Sequence, residues 1–194
     1  MSDIFTSLTQ SEFQEKFHSL HDRIFSGQED SDIPDECDLP FTDRYWERVL
    51  LEEGVLNLPD ENLRALTIAA EKMGDRQIII TDSETRPPHQ MSVIATWNAG
   101  TLDHIRTSTL LNHFKNHTFG QSGTWGLVYY WDEFSILGGT SVFMEAFFEA
   151  AGGRQRVKER FLRFAAAHWW ASVEPPTQVK ILKSVGWSFG DVAP

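Results

Sequence analysis

The chain has 194 residues, with 28 acidic and 17 basic side chains, a formal net charge of −11 and a single cysteine. That charge argues against general nucleic-acid binding, which needs a basic stripe. One cysteine excludes an internal disulfide, no apolar run approaches the roughly 20 residues of a bilayer span, and the start MSDIFTSLTQ lacks a signal-peptide pattern, so the expectation is a cytoplasmic protein folded as one domain over 1–194.

Thr9 to Phe25 reads as the first helix. Thr9 and Glu12 form a capping box, Leu8 and Phe13 can staple it, and Phe13, Phe17, Leu20 and Ile24 trace one apolar stripe bordered by His21. Residues 26–40, SGQEDSDIPDECDLP, are acidic and interrupted by proline, which predicts a loop. Cys37 lies there between Glu36 and Asp38, carboxylates that oppose thiolate formation, so it is read as a plain loop residue. Thr42 to Glu53 is assigned as a second helix, with Tyr45, Trp46, Val49 and Leu50 inward. Asn57 to Met73 is a third, capped by Asp60 and stopped by Gly74.

Ile78-Ile79-Ile80 marks a strand over 76–82, and a second strand follows at 91–97. The eight-residue connection SETRPPHQ fits an antiparallel hairpin better than a crossover. Thr101 to Phe114 is predicted helical, and Asn116 to Gly123 returns the chain to a central hairpin. That hairpin, strands at 124–131 and 134–138, is the expected centre of the fold. Gly138-Gly139 would end its second strand, Thr140 or Ser141 would cap a nearly all-apolar helix, and Gly152 would stop it. Arg154 to Trp170 is the next helix, with Val157, Phe161, Phe164, Ala165 and His168 inward. Thr177 to Ser184 is the last, and Trp187 and Phe189 fold back on it. The class is therefore α+β: a mostly antiparallel sheet of about four strands packed with helices from both ends of the chain.

Charge divides the chain. Residues 1–75 hold 18 acidic and 6 basic residues, a net of −12, whereas 76–194 hold 10 and 11, a net of +1. Arg154, Arg156, Lys158, Arg160 and Arg163 crowd one helix. That face is either solvated or docked on the acidic part, in the same molecule or in a twofold mate.

Motifs with chemical meaning are sparse. His113 and His117 would share a helix face, as two zinc ligands can, with Asp132, Glu133 or His104 as a third, but no HExxH pattern accompanies them. Gly138-Gly139-Thr140-Ser141 lacks the lysine of a phosphate loop. Gly120-Gln121-Ser122-Gly123 is one residue short of a nucleophile elbow and precedes a strand. No cofactor or metal is assigned. Adjacent helical residues point about 100° apart, so Trp169 and Trp170 cannot both face inward, and one is expected as an interface anchor.

The leading expectation is a non-enzymatic interaction protein that binds a basic protein partner through Asp30, Asp32, Asp35, Glu36 and Asp38, or through Trp169 and Trp170, possible homodimerisation included. In size and charge alone this profile resembles that of bacterial immunity proteins, which neutralise basic partners. The alternative is a small-ligand binder or enzyme whose pocket lies between sheet and helices, with His104, His113, His117, Asp132 and Glu133 converging.

Overall fold

A computed structural model describes residues 5–26, 40–52, 58–83, 91–96, 115–130, 134–168 and 170–188. Seven strands form one sheet: β1 (Phe5–Leu8), β2 (Glu47–Glu52), β3 (Gln77–Asp82), β4 (Ser92–Thr96), β5 (Asn116–Gly120), β6 (Trp125–Tyr130) and β7 (Phe134–Gly139). Their order is β1-β4-β3-β5-β6-β7-β2, and every neighbouring pair is antiparallel. Six α-helices are present among the described residues: α1 (Gln10–Lys16), α2 (His18–Ile24), α3 (Asp60–Lys72), α4 (Ser141–Ala150), α5 (Arg154–His168) and α6 (Pro175–Ser184). The α+β class holds, with three strands more than the four expected. No helix among the described residues is long and apolar enough to cross a membrane.

Strand alternation sorts the apolar side chains into two cores. Val49, Leu51, Ile78, Ile80, Leu127 and Leu137 face one side, where α3 packs against α4. Leu50, Ile79, Phe119, Val128 and Ile136 face the other, with Phe13, Phe17 and Ile24 of the N-terminal helices and Phe161, Ile181 and Leu182 of the C-terminal ones. Because both faces of the sheet are covered, the apolar stretches of β2, β3, β6 and β7 are continuous rather than alternating.

The segment assigned as a helix over 42–53 is a correction. Glu47–Glu52 is the edge strand β2, paired with β7 from Glu47↔Gly139 to Glu52↔Phe134. Val49, Leu50 and Leu51 are buried in succession, two on one face and one on the other. Each such burial is worth about 1.5–3 kcal/mol, against helix preferences of a few tenths per residue, so pairing wins over local propensity. Tyr45, expected inward, is 90% exposed. α5 packs along β2 and covers that edge.

Smaller differences have local causes. The first helix breaks at Phe17, whose φ of −127° is not helical, although the Thr9–Glu12 capping box forms as expected. Pro59, not Asp60, holds the cap position of α3, with no side-chain cap bond. Asn116 to Gly120 is a strand, not a connection. Gly138 and Gly139 are the last two residues of β7, which ends there as expected; a Cβ on Gly138 would fall 2.5 Å from the Phe41 ring, so the glycine admits that ring against the sheet. Within α5, Phe164 is half-buried and His168 exposed. The expected helix over 101–114, the acidic loop with Cys37, Trp97, Trp131 and Phe189 lie outside the described residues.

Candidate functional site

Glu47 and Arg48 stand on β2, at the edge that α5 covers. Alternation sends their side chains to opposite faces, so the strand presents a carboxylate to one side and a guanidinium to the other. Arg154, at the start of α5, closes on Glu47 as a fork, with Nε to Oε1 at 2.8 Å and Nη2 to Oε2 at 3.0 Å. These bonds to Glu47 raise the Arg154 pKa. Its guanidinium also lies over the Phe148 ring, 4.5 Å from the centroid. One turn along α5, the Lys158 ammonium sits 5.2 Å over the Trp187 ring. Trp187 is held edge-on by Phe161 at 5.9 Å, and Trp46 is held by Phe41 at 5.6 Å.

Together these groups enclose a cleft of about 260 Å³ lined by Trp46, Arg48, Phe148, Arg154, Lys158 and Trp187, among others. Arg48 is its most unusual member. Its Nε and Nη1 are shielded from solvent and have no hydrogen-bond partner among the described residues. Burial lowers its pKa. Arg154 thus has its carboxylate, while Arg48, next to Glu47 on the strand, has none among the described residues.

Further along α5 the basic face docks on the acidic part of the same molecule. Arg156 pairs with Glu61 at 2.9 Å, and Arg160 reaches Glu61, Asn62 and, at 3.7 Å, the buried Glu52. The Arg160 and Arg156 contacts hold the Glu61 carboxyl below its ordinary range. The exposed pairs are screened by solvent and add little to stability. Their effect is to fix α5, and with it the cleft wall, against β2 and α3.

His117 lies on strand β5, so it cannot share a helix face with His113. It is buried, stacked on Phe25 at 4.1 Å, and its Nδ1 is 2.8 Å from Nε2 of His21 on α2. The adjacent Lys115 and Asn116 are also buried, opposite the buried Asp82. His104, His113, Asp132, Glu133, Asp30, Asp32, Asp35, Glu36, Asp38 and Trp169 lie outside the described residues. Trp170 faces inward, 8% exposed, and its carbonyl accepts a 2.8 Å bond from Gln178. Gly120-Gln121-Ser122-Gly123 is the β5–β6 hairpin turn, in which Ser122 Oγ donates to the Asp75 carboxylate at 2.7 Å. Thr140 caps α4 through Phe143 N.

Sequence reasoning missed the cleft because Trp46 and Arg48 were placed on a helix. Their presence on a strand is the condition for Glu47 and Arg48 to part company. The one signal in the sequence is the run of cations at the start of α5; its aromatic partners Phe148 and Trp187 lie on either side of that helix in the chain. No family model, curated protein or solved structure matches the chain.

Proposed function

We propose that this chain is a ligand-binding protein and that the β2 cleft takes a small planar anion, a carboxylate carried on an aromatic ring. One observation carries the reading: Arg48 lines the cleft as a cation whose Nε and Nη1 have no counter-charge or hydrogen-bond partner among the described residues. An arginine fork matches a carboxylate in shape and charge. Trp46 and Trp187 supply aromatic surface for a ring, and Lys158 adds a second positive charge. The volume lies just below the usual range of drug-sized pockets, about 300–1,000 Å³, which favours a ligand of one or two rings. The carboxylate in the lining, Glu47, is held by Arg154, so the lining is fitted for recognition rather than for proton transfer.

Titration of the full chain with benzoate, followed by tryptophan fluorescence, tests this. Saturable quenching that weakens with added salt is expected, because Trp46 and Trp187 line the cleft. Inorganic phosphate serves as the ringless comparison and is expected to bind less tightly. Absence of a saturable change with either anion refutes the reading.

A second reading keeps the acidic part as a docking face for a basic protein partner. It is favoured by the net charge of −12 over residues 1–75; among the described residues, the acidic partners of Arg154, Arg156 and Arg160 are Glu47, Glu52 and Glu61. Lysine at positions 30, 32, 35, 36 and 38 together should abolish low-salt co-purification of such a partner from the source cell. Undiminished recovery would exclude that face.

A further inference from the structure

On α2, His18, His21 and Asp22 follow the i, i+3, i+4 spacing that places three side chains on one helical face. Their donor atoms all lie within 4.8 Å of one another. The His18 Nδ1 to Asp22 Oδ1 distance is 3.1 Å, and that from His21 Nδ1 to the same oxygen is 3.3 Å. A tetrahedral zinc ion with bonds of about 2.0–2.1 Å sets neighbouring donors roughly 3.3 Å apart. Two of the three donor separations therefore match the edges of a coordination tetrahedron, and the third is no more than 4.8 Å. His18 and Asp22 are 45% and 57% exposed, which leaves the face open to entering ions and to a water ligand.

His21 is held from behind. Its other ring nitrogen, Nε2, meets His117 Nδ1 at 2.8 Å, and His117 is buried and stacked on Phe25. Phe13, Phe25 and Phe119 contact the His21 ring at centroid distances of 6.0, 5.0 and 5.9 Å. A metal-binding histidine whose back nitrogen is hydrogen-bonded has its tautomer and ring plane fixed by that partner. When a metal takes the Nδ1 lone pair of His21, Nε2 is the protonated nitrogen and donates to His117 Nδ1; without the metal, Nδ1 lies 3.3 Å from Asp22 Oδ1.

We infer that this face of α2 is a divalent-metal site in which His18, His21 and Asp22 are the ligands and His117 positions His21. Two imidazoles and one carboxylate select a borderline ion of the zinc, cobalt or nickel type over magnesium or calcium, which prefer all-oxygen shells. The site is separate from the β2 cleft and does not depend on it.

Cobalt(II) alone, titrated into the full chain, is the direct probe, with zinc as competitor. One equivalent should give the visible absorption of a tetrahedral cobalt centre, displaced by zinc. His18→Ala together with Asp22→Ala alters exposed side chains only and should abolish the band while the far-UV circular dichroism stays unchanged. His117→Gln, which retains a polar partner for His21, should bind more tightly than His117→Phe, with the latter weakened roughly 10–100-fold relative to wild type. A wild-type chain that gives no band, or a double variant that binds cobalt as the wild type does, overturns the assignment. Equal affinities in wild type, His117→Gln and His117→Phe overturn the positioning role.

Discussion

Asp75→Ala should lower the melting temperature by roughly 6–12 °C. Asp75 is 2% exposed and follows Gly74, whose φ of 85° ends α3 and turns the chain into β3. There its carboxylate accepts three hydrogen bonds: Ser122 N at 2.7 Å, Ser122 Oγ at 2.7 Å and Trp125 Nε1 at 2.8 Å. One side chain thus ties the end of α3 to the β5–β6 turn and to a fully buried tryptophan. After truncation the Ser122 donors can turn to water, because that turn is exposed. The indole N–H of Trp125 cannot. Losing charge-assisted bonds and stranding one buried donor costs about 3 kcal/mol, and for a chain of this size each kcal/mol moves the melting temperature by about 2–4 °C. Gly120 is part of the same arrangement, since a Cβ there would lie 2.1 Å from Asp75 Oδ2. Gly120→Ala should therefore reproduce much of the loss by pushing the carboxylate off its partners while leaving residue 75 an aspartate. A thermal melt of Asp75→Ala within 2 °C of wild type would show that the carboxylate does not anchor the turn.

That cluster shows what a linear reading can and cannot recover. Gly120-Gln121-Ser122-Gly123 was legible as something other than a nucleophile elbow, since it is too short and leads into a strand. Its partner, 47 residues earlier, carries no local mark that it will be buried. The central hairpin, the β3–β4 pair, the Thr9 capping box and the Thr140 cap were legible for the opposite reason: each is decided within a few residues. β2 was not, because three consecutive apolar residues fit a helix or a two-sided strand equally well until β7 is beside them. The strand β1 is four residues long and the polar β5 resembles a loop, so both depend on their neighbours in the sheet. Docking of the α5 basic face on Glu47, Glu52 and Glu61 was one of the two outcomes left open by charge alone. Choosing between them required knowing that α5 lies against β2 and α3.

Replacing Arg48 by methionine should separate binding from stability. Methionine keeps the length and apolar stem of the side chain and removes a guanidinium that burial already disfavours. A shielded charge without a partner destabilises the fold, so the variant should melt at or above the wild-type temperature. Binding should move the other way. A hydrogen bond to a charged group contributes about 1.5–3 kcal/mol, so the dissociation constant for benzoate should rise roughly 10–150-fold. Lys158→Ala removes a cation stationed over an exposed rim and should weaken binding by less. Arg48→Lys preserves the charge but loses the planar fork, and its affinity should fall between wild type and Arg48→Met. If Arg48→Met melts several degrees lower and still binds benzoate as the wild type does, Arg48 is a structural residue and the cleft is not an anion site. If it melts higher and no longer binds, the unpaired cation on β2 is retained at the expense of stability, which is the signature of a residue kept for its ligand.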